Sequence, residues 1–222
     1  MRPAAAGVAL GLALAVGVPT AWELTRPPAA AGAPVEQALA ATPTPTPTPT
    51  TAPPPSPAVP QVTTRDAAPS PAAQVVPPVR VEMPARGLDV PVDAVGTADD
   101  GQMAIPDDVD RAGWYRFGPA PGAAGSAVVA GHVDDVEQGL GAMAALRAAE
   151  PGDEVLVTDA AGAVTRWRVL GRELLDKGAL PVDDLFRRDG PPRLTLVTCG
   201  GPFLPDLGGY RDNLVVVAEP AP

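Results

Sequence analysis

The chain is poor in reactive and ring-bearing side chains. Its 222 residues include one cysteine, one histidine and only 4% aromatics. A single cysteine forbids an intramolecular disulfide, and with one histidine it cannot complete a zinc cluster. Chemistry that needs an imidazole must use His132, and chemistry that needs a thiol must use Cys199. A basic excess is also missing, because 16 Lys and Arg face 26 Asp and Glu, for a formal charge of −10. That balance lacks the footprint of a nucleic-acid binder, so no DNA or RNA partner is expected. An acidic fold is also repelled by anionic lipid unless something tethers it.

Proline, by contrast, is abundant and unevenly spread. Of 31 prolines, 16 fall in residues 27–78, where Arg65, Glu36 and Asp66 carry the only charges. Such a stretch buries too little apolar surface to offset backbone ordering, which predicts a disordered Pro/Thr/Ala-rich linker over 27–78. Its Thr-Pro repeat (42–50) and Pro53-Pro54-Pro55 favour polyproline II. Fully extended at about 3.1 Å per residue, the linker reaches on the order of 150 Å. Its threonines are candidate glycosylation sites.

Ahead of the linker, residues 3–22 carry no charge. Twenty residues at about 1.5 Å each reach roughly 30 Å, the thickness of a bilayer hydrocarbon core. Arg2 precedes the run, Pro19 and Trp22 suit its far end, and Glu23 follows. Residues 1–26 are therefore expected to be an N-terminal transmembrane anchor, making the protein single-pass in the cell membrane with its folded part extracytoplasmic. A cleaved signal peptide is the alternative, with Ala31-Gly32-Ala33 a poorly placed cleavage site.

The foldable part is 79–222, long enough for one core. It holds 13 Lys and Arg against 23 Asp and Glu, the whole of the net charge. By composition it is expected to fold without residues 1–78. Short runs rich in Val, Leu and Thr, punctuated by Gly, Pro and Asp, predict strands at 79–83, 88–92, 102–105, 127–132, 154–158, 164–173, 194–199 and 213–218. Leu140, Met143 and Leu146 keep helical spacing before Pro151-Gly152, predicting a helix over 140–149. Short helical turns are expected at 107–112 and 182–186. Eight strands with one or two small helices predict an all-β domain closed into an eight-stranded barrel, since closure leaves no open edge.

Three segments carry the chemistry. Val128-Val129-Ala130-Gly131-His132 is an apolar run ending in the only histidine, and Leu194-Thr195-Leu196-Val197-Thr198-Cys199 is one ending in the only cysteine. Gly200 and Gly201 follow the thiol, and Tyr210-Arg211-Asp212-Asn213 opens the last strand. A thiol attacks as thiolate, and the ordinary thiol pKa of about 8.5 leaves little of it at neutral pH. An adjacent imidazole takes the proton and later gives it to a leaving amine. A fixed arginine stays charged and stabilises an oxyanion, while two glycines let backbone approach a substrate. Each feature also has a plainer reading: Cys199 as a small core residue, His132 as a structural group, Arg211 as half of a surface ion pair with Asp212. An exported free thiol risks oxidation, so its retention at the end of an apolar strand argues for use.

These segments resemble the sortases, most closely the actinobacterial kind called class F. Leu194 to Cys199 is similar to the family's Thr-Leu-x-Thr-Cys signature, Gly131-His132-Val133-Asp134 to its histidine motif, and Tyr210-Arg211-Asp212-Asn213 with Leu214-Val215-Val216-Val217 to its arginine strand. Leu88-Asp89-Val90-Pro91-Val92, Trp114-Tyr115 and Pro121-Gly122 sit where the family has similar words. The order His, Cys, Arg, at spacings of 67 and 12 residues, makes the resemblance specific. One departure is the acidic stretch after His132, with Asp135 and Glu137, which bears on substrate preference.

The resemblance implies a sortase-type β-barrel and a cysteine transpeptidase, a thiol peptidase in its first half-reaction, with no cofactor. Such enzymes cut a C-terminal Leu-Pro-x-Thr-Gly-type sorting signal between Thr and Gly and pass the acyl group to an amine. Cys199 would attack, His132 would protonate the leaving amine, and Arg211 would hold the oxyanion. Thr198, Gly200 and Tyr210, which flank them, are candidate substrate-binding residues. The implied partners are secreted proteins with a sorting signal, an amine acceptor such as a cell-wall precursor, and the membrane through the N-terminal helix. L,D-transpeptidases place an arginine two residues after the cysteine, where Gly201 stands, and papain-like peptidases place cysteine before histidine, the reverse of this order. The alternative from another class is a non-catalytic, stalked cell-surface binding domain in which Cys199 and His132 are core residues.

Overall fold

Val and Leu at alternate positions give each strand one apolar face, and those faces close on one another. The computed structural model describes residues 28–40 and 75–222. In chain order the elements are β1 (Ala30–Gly32), α1 (Val35–Leu39), β2 (Pro78–Met83), β3 (Leu88–Val95), β4 (Ala112–Tyr115), β5 (Ser126–Gly131), β6 (Asp134–Asp135), β7 (Gly139–Leu140), β8 (Glu154–Asp159), β9 (Val164–Asp176), α2 (Val182–Leu185), β10 (Arg193–Leu204) and β11 (Gly209–Pro220). Neighbours run β9–β11–β10–β5–β4–β3–β2–β8, and β8 pairs back onto β9, so eight strands close into a barrel. The β3–β4 and β5–β10 pairs are parallel, and β6 with β7 makes a separate ribbon. Val81, Val90, Trp114, Val129, Leu196 and Val216 fill the interior, joined by Met143 and Leu146 of a 3-10 helix at Ala142–Ala148.

The all-β expectation and the eight-stranded closure hold, but several elements differ. Residues 102–105 form no strand: Asp100 accepts from both the backbone and the side chain of Gln102, making a tight turn, and Met103 keeps only an isolated bridge to Thr97. The eighth strand is β4 instead. Residues 107–112 are not helical, because Asp108 turns the chain by accepting from Asp110 N–H and Ala112 already belongs to β4. The helix expected over 140–149 is a tighter 3-10 helix. Leu140 lies outside it in β7, 69% exposed, held there as Gly141 N–H donates to the Val133 carbonyl.

The larger correction concerns residues 28–40, which lie inside the expected linker. β1 extends the sheet beside β9, pairing Ala30 with Glu173, Ala31 with Arg172 and Gly32 with Gly171. Two glycines face each other there for a steric reason. A Cβ on Gly171 would stand 2.0 Å from the Ala33 carbonyl oxygen, and Gly32, at φ +81°, has the Leu170 carbonyl 2.4 Å from where its Cβ would be. α1 then lays Val35, Ala38 and Leu39 on Val215, Val217 and Leu185, forming a second apolar cluster on the outer surface of the barrel. Glu173 accepts from Val35 N–H at 2.8 Å, and the buried Arg193 donates to the Ala38 carbonyl at 2.7 Å. Composition misled because few apolar side chains suffice when a preformed surface receives them. Leu39 is fully buried. Leu39→Ala is expected to destabilise the fold by about 2–5 kcal/mol in chemical denaturation. A fragment that starts at residue 79 loses this cover and is expected to melt below one that starts at residue 28.

The N-terminal transmembrane helix, and with it the signal anchor, the membrane as a partner and the single-pass localisation, is not borne out by the described residues. Among the described residues no helix is long and apolar enough to cross a membrane. The uncharged run at 3–22 and the Thr-Pro repeat both lie outside the described residues.

Candidate active site

β10 is the centre of the site. It pairs in parallel with β5, where Val197 stands opposite Ala130, and antiparallel with β11, where Cys199 stands opposite Asn213. Alternate residues of a strand share a face. Carried two residues further, the parallel register sets Cys199 level with His132, just past the end of β5. Both lie on the outer face, the one that carries Val197, Val215 and the α1 cluster. Arg211 precedes Asn213 by two residues on β11 and falls on that face too. The backbones of three neighbouring strands thus bring His132, Cys199 and Arg211 to one end of the sheet, with the Arg211 guanidinium turned to Asp212. His132 and Cys199 are half-buried and Arg211 is exposed, so all three can be reached from solvent.

The supporting contacts fix this layer. Thr198 points inward and its hydroxyl donates to the Gly131 carbonyl at 2.8 Å, pinning β10 to β5 one residue before the thiol and the imidazole. Its side chain is 2% exposed, so it acts on the strands and not as an open substrate contact. Gly200 is buried, and a Cβ there would stand 2.6 Å from Leu174 Cδ1. Tyr210 donates its hydroxyl to Asp134 Oδ2 at 2.5 Å and packs edge-on against Phe203, ring centroids 5.4 Å apart. It thereby ties the β10–β11 hairpin to the loop after His132. The Asp134 carboxylate accepting this bond pushes the Tyr210 phenol up. The acidic stretch after His132 is partly spent on its own turn. Asp135 accepts from the N–H groups of Glu137 and Gln138, bonds that hold its carboxyl below the usual range, with the His132 charge adding a little.

Asp212 is the residue that sequence reasoning undervalued. Arg211 donates to it twice, Nε at 2.6 Å and Nη2 at 2.8 Å. The aspartate is 2% exposed and sits against Gly201, whose Cβ would fall 2.1 Å from Asp212 Oδ2 at φ +72°. Adjacent strand residues point to opposite faces, so the arginine folds over the rim to reach the carboxylate, opposite the register shift of β10 between Gly200 and Phe203. The ion pair with Asp212 is thus present, and it also orients Arg211. The guanidinium holds the Asp212 carboxyl below its ordinary range. A carboxyl depressed in the folded state adds stability above its unfolded pKa, about 3.9, and loses it as pH falls through the lower folded value. Asp212→Asn is therefore expected to lower Tm at pH 7, with the gap to wild type closing on acidification below about pH 3.9. Melting curves across pH 2–7 check this; a gap of constant size would deny the ion pair any contribution.

The closed barrel thus carries its one thiol and its one imidazole at the same level of two paired strands, both open to solvent. Among curated proteins none matches the chain in sequence. Solved structures do match in fold. Sortase A from Listeria monocytogenes is 19% identical over 67% of this chain and 89% of that one, with a TM-score of 0.50. The lid mutant of sortase A from Corynebacterium diphtheriae is 17% identical over 68% and 73%, also with a TM-score of 0.50. Sortase A from Corynebacterium diphtheriae is 17% identical, with a TM-score of 0.49, and the match spans 68% of this chain but only 63% of that one. At these identities the likeness bears on the fold alone. The Sortase domain family matches residues 81–221, and the chain belongs to the sortase family.

Proposed function

We propose that the chain is a cysteine transpeptidase that cleaves Leu-Pro-x-Thr-Gly-type sorting signals between Thr and Gly and transfers the acyl product to an amine. The observation that carries this reading is the register that aligns His132 with Cys199 on one exposed face. Cys199, as thiolate, attacks the Thr carbonyl carbon. The C–S bond forms, the peptide C–N bond breaks, and His132 delivers the proton to the departing Gly amine. An incoming amine then attacks the thioester, giving its proton to His132 as the C–S bond breaks. Its clients are exported proteins bearing a sorting signal, and its acceptor is an amine such as that of a cell-wall precursor. Kinship with class F in particular rests on the sequence words around Cys199, His132 and Arg211; the solved structures named above are sortases A.

Asp212 occupies Nε and Nη2 of Arg211, which leaves Nη1 to meet the oxyanion from a fixed direction. Lysine has no planar fork to be held this way. Arg211→Lys is expected to cost about 100- to 1000-fold in turnover, the usual loss for one oxyanion donor, at near-wild-type melting temperature. A lysine variant that keeps more than half the wild-type rate would leave Arg211 as a surface ion pair and nothing more.

The test of the whole reading is mass spectrometry of the full chain with a small panel of sorting-signal peptides. An acyl adduct on Cys199 and a peptide cut between Thr and Gly are expected. An accessible thiol that forms no adduct with any peptide favours the non-catalytic binding domain.

A further inference from the structure

On the inward side of the sheet, next to Gly200 and Gly201, the barrel end holds a cavity of about 200 Å³. Its wall combines Arg147 and Arg172 with Leu174 and Leu214. Arg172 is 2% exposed. Its Nε donates to the Ala149 carbonyl at 2.9 Å and its Nη1 to the Pro28 carbonyl at 3.2 Å. Its Nη2 has no hydrogen-bond partner among the described residues. The Glu150 carboxylate, its side chain 47% exposed, stands 3.7 Å from that nitrogen, beyond hydrogen-bond length. Buried charged donors are normally filled, so an open arm of a buried guanidinium points to a ligand. Arg147, in the last turn of the 3-10 helix, borders the same cavity. The other carboxylates near this end are already paired: Asp134 accepts from Tyr210, and Asp212, beside Gly201, accepts from Arg211. A buried arginine and an exposed one therefore line one cavity in a chain whose net charge is −10.

We propose that this cavity binds the carboxylate group of a small molecule, seated between Arg172 Nη2 and the Arg147 guanidinium. Guanidinium groups match a carboxylate with directed, charge-assisted donors, and Leu174 with Leu214 accommodates a short aliphatic stem. The two glycines that wall the cavity follow Cys199 directly, so a seated carboxylate lies just across β10 from the thiol. One source of that carboxylate is an amine-bearing small molecule, held on the side of β10 away from Cys199. A free small carboxylate is the other source of the same chemistry.

The test is an NMR titration of the full chain with glycine, glycinamide and acetate, following the arginine Nε–H signals. Glycine and acetate are expected to shift the Arg147 and Arg172 signals, and glycinamide is not. Arg147→Gln is expected to weaken glycine binding at least fivefold. Glycine binding tighter than acetate supports the site with an amine-bearing occupant; equal binding supports it with a free carboxylate. No shift with either carboxylate, an equal shift with glycinamide, or unaltered glycine binding in Arg147→Gln overturns it. The titration needs no turnover, so absence of peptide cleavage would overturn the transpeptidase reading and leave this result standing.

Discussion

Cys199→Ala is expected to abolish cleavage of a sorting-signal peptide, leaving less than a tenth of the wild-type rate, while the barrel stays folded. The loss is total in principle because the chain has no second thiol to take over the attack. The fold should tolerate the change because β10 is held by backbone pairing on both sides and by the Thr198 hydroxyl, none of which uses the Cys199 side chain. Cys199 is only half-buried, so removing its sulfur opens no core cavity. Peptide cleavage by mass spectrometry, with a melting curve as control, decides it. Residual cleavage above a tenth of wild type, in clean protein, would sink the covalent mechanism.

The second large effect is expected at His132. One imidazole must give a proton to the first leaving amine and take one from the second, and a positioned general acid–base typically contributes 10²–10⁴-fold. His132→Ala is therefore expected to lower turnover by about 100- to 10,000-fold. The wild-type rate should fall at both ends of the pH range, since attack needs a thiolate and departure needs an imidazolium. A rate that climbs steadily to pH 10 would argue against His132 as the acid. Thermal stability should change little, because His132 is only half-buried and the burial at this point belongs to its neighbours Gly131 and Val133.

The β-branched strands and the chemical words were legible because both are local. Runs such as Val128 to Gly131 and Leu194 to Cys199 carry their strand signal in their own side chains, and single copies of Cys and His leave no choice of residue. What escaped depends on a partner. β4 reads Ala-Gly-Trp-Tyr, and only its pairing between β3 and β5 makes it a strand. β1 and α1 are Ala-rich and flanked by prolines, and they are ordered by Gly171, Glu173 and Arg193 far along the chain. What escaped in the Arg211–Asp212 pair is the burial of the aspartate, which packs against Gly201 of the neighbouring strand and carries no local signal. Arg172 carries no local signal at all, since its environment comes from Ala149, Glu150 and Pro28.

The docking of residues 28–40 has a consequence for the Thr-Pro tract. Residue 40 ends on the outer surface of the barrel, and residue 75 leads directly into β2 of the same barrel. Residues 41–74 are therefore a circuit that leaves one body and returns to it. A segment fastened at both ends sets no distance between that body and anything else. The number of Thr-Pro repeats therefore does not set the spacing between the barrel and whatever precedes Pro28.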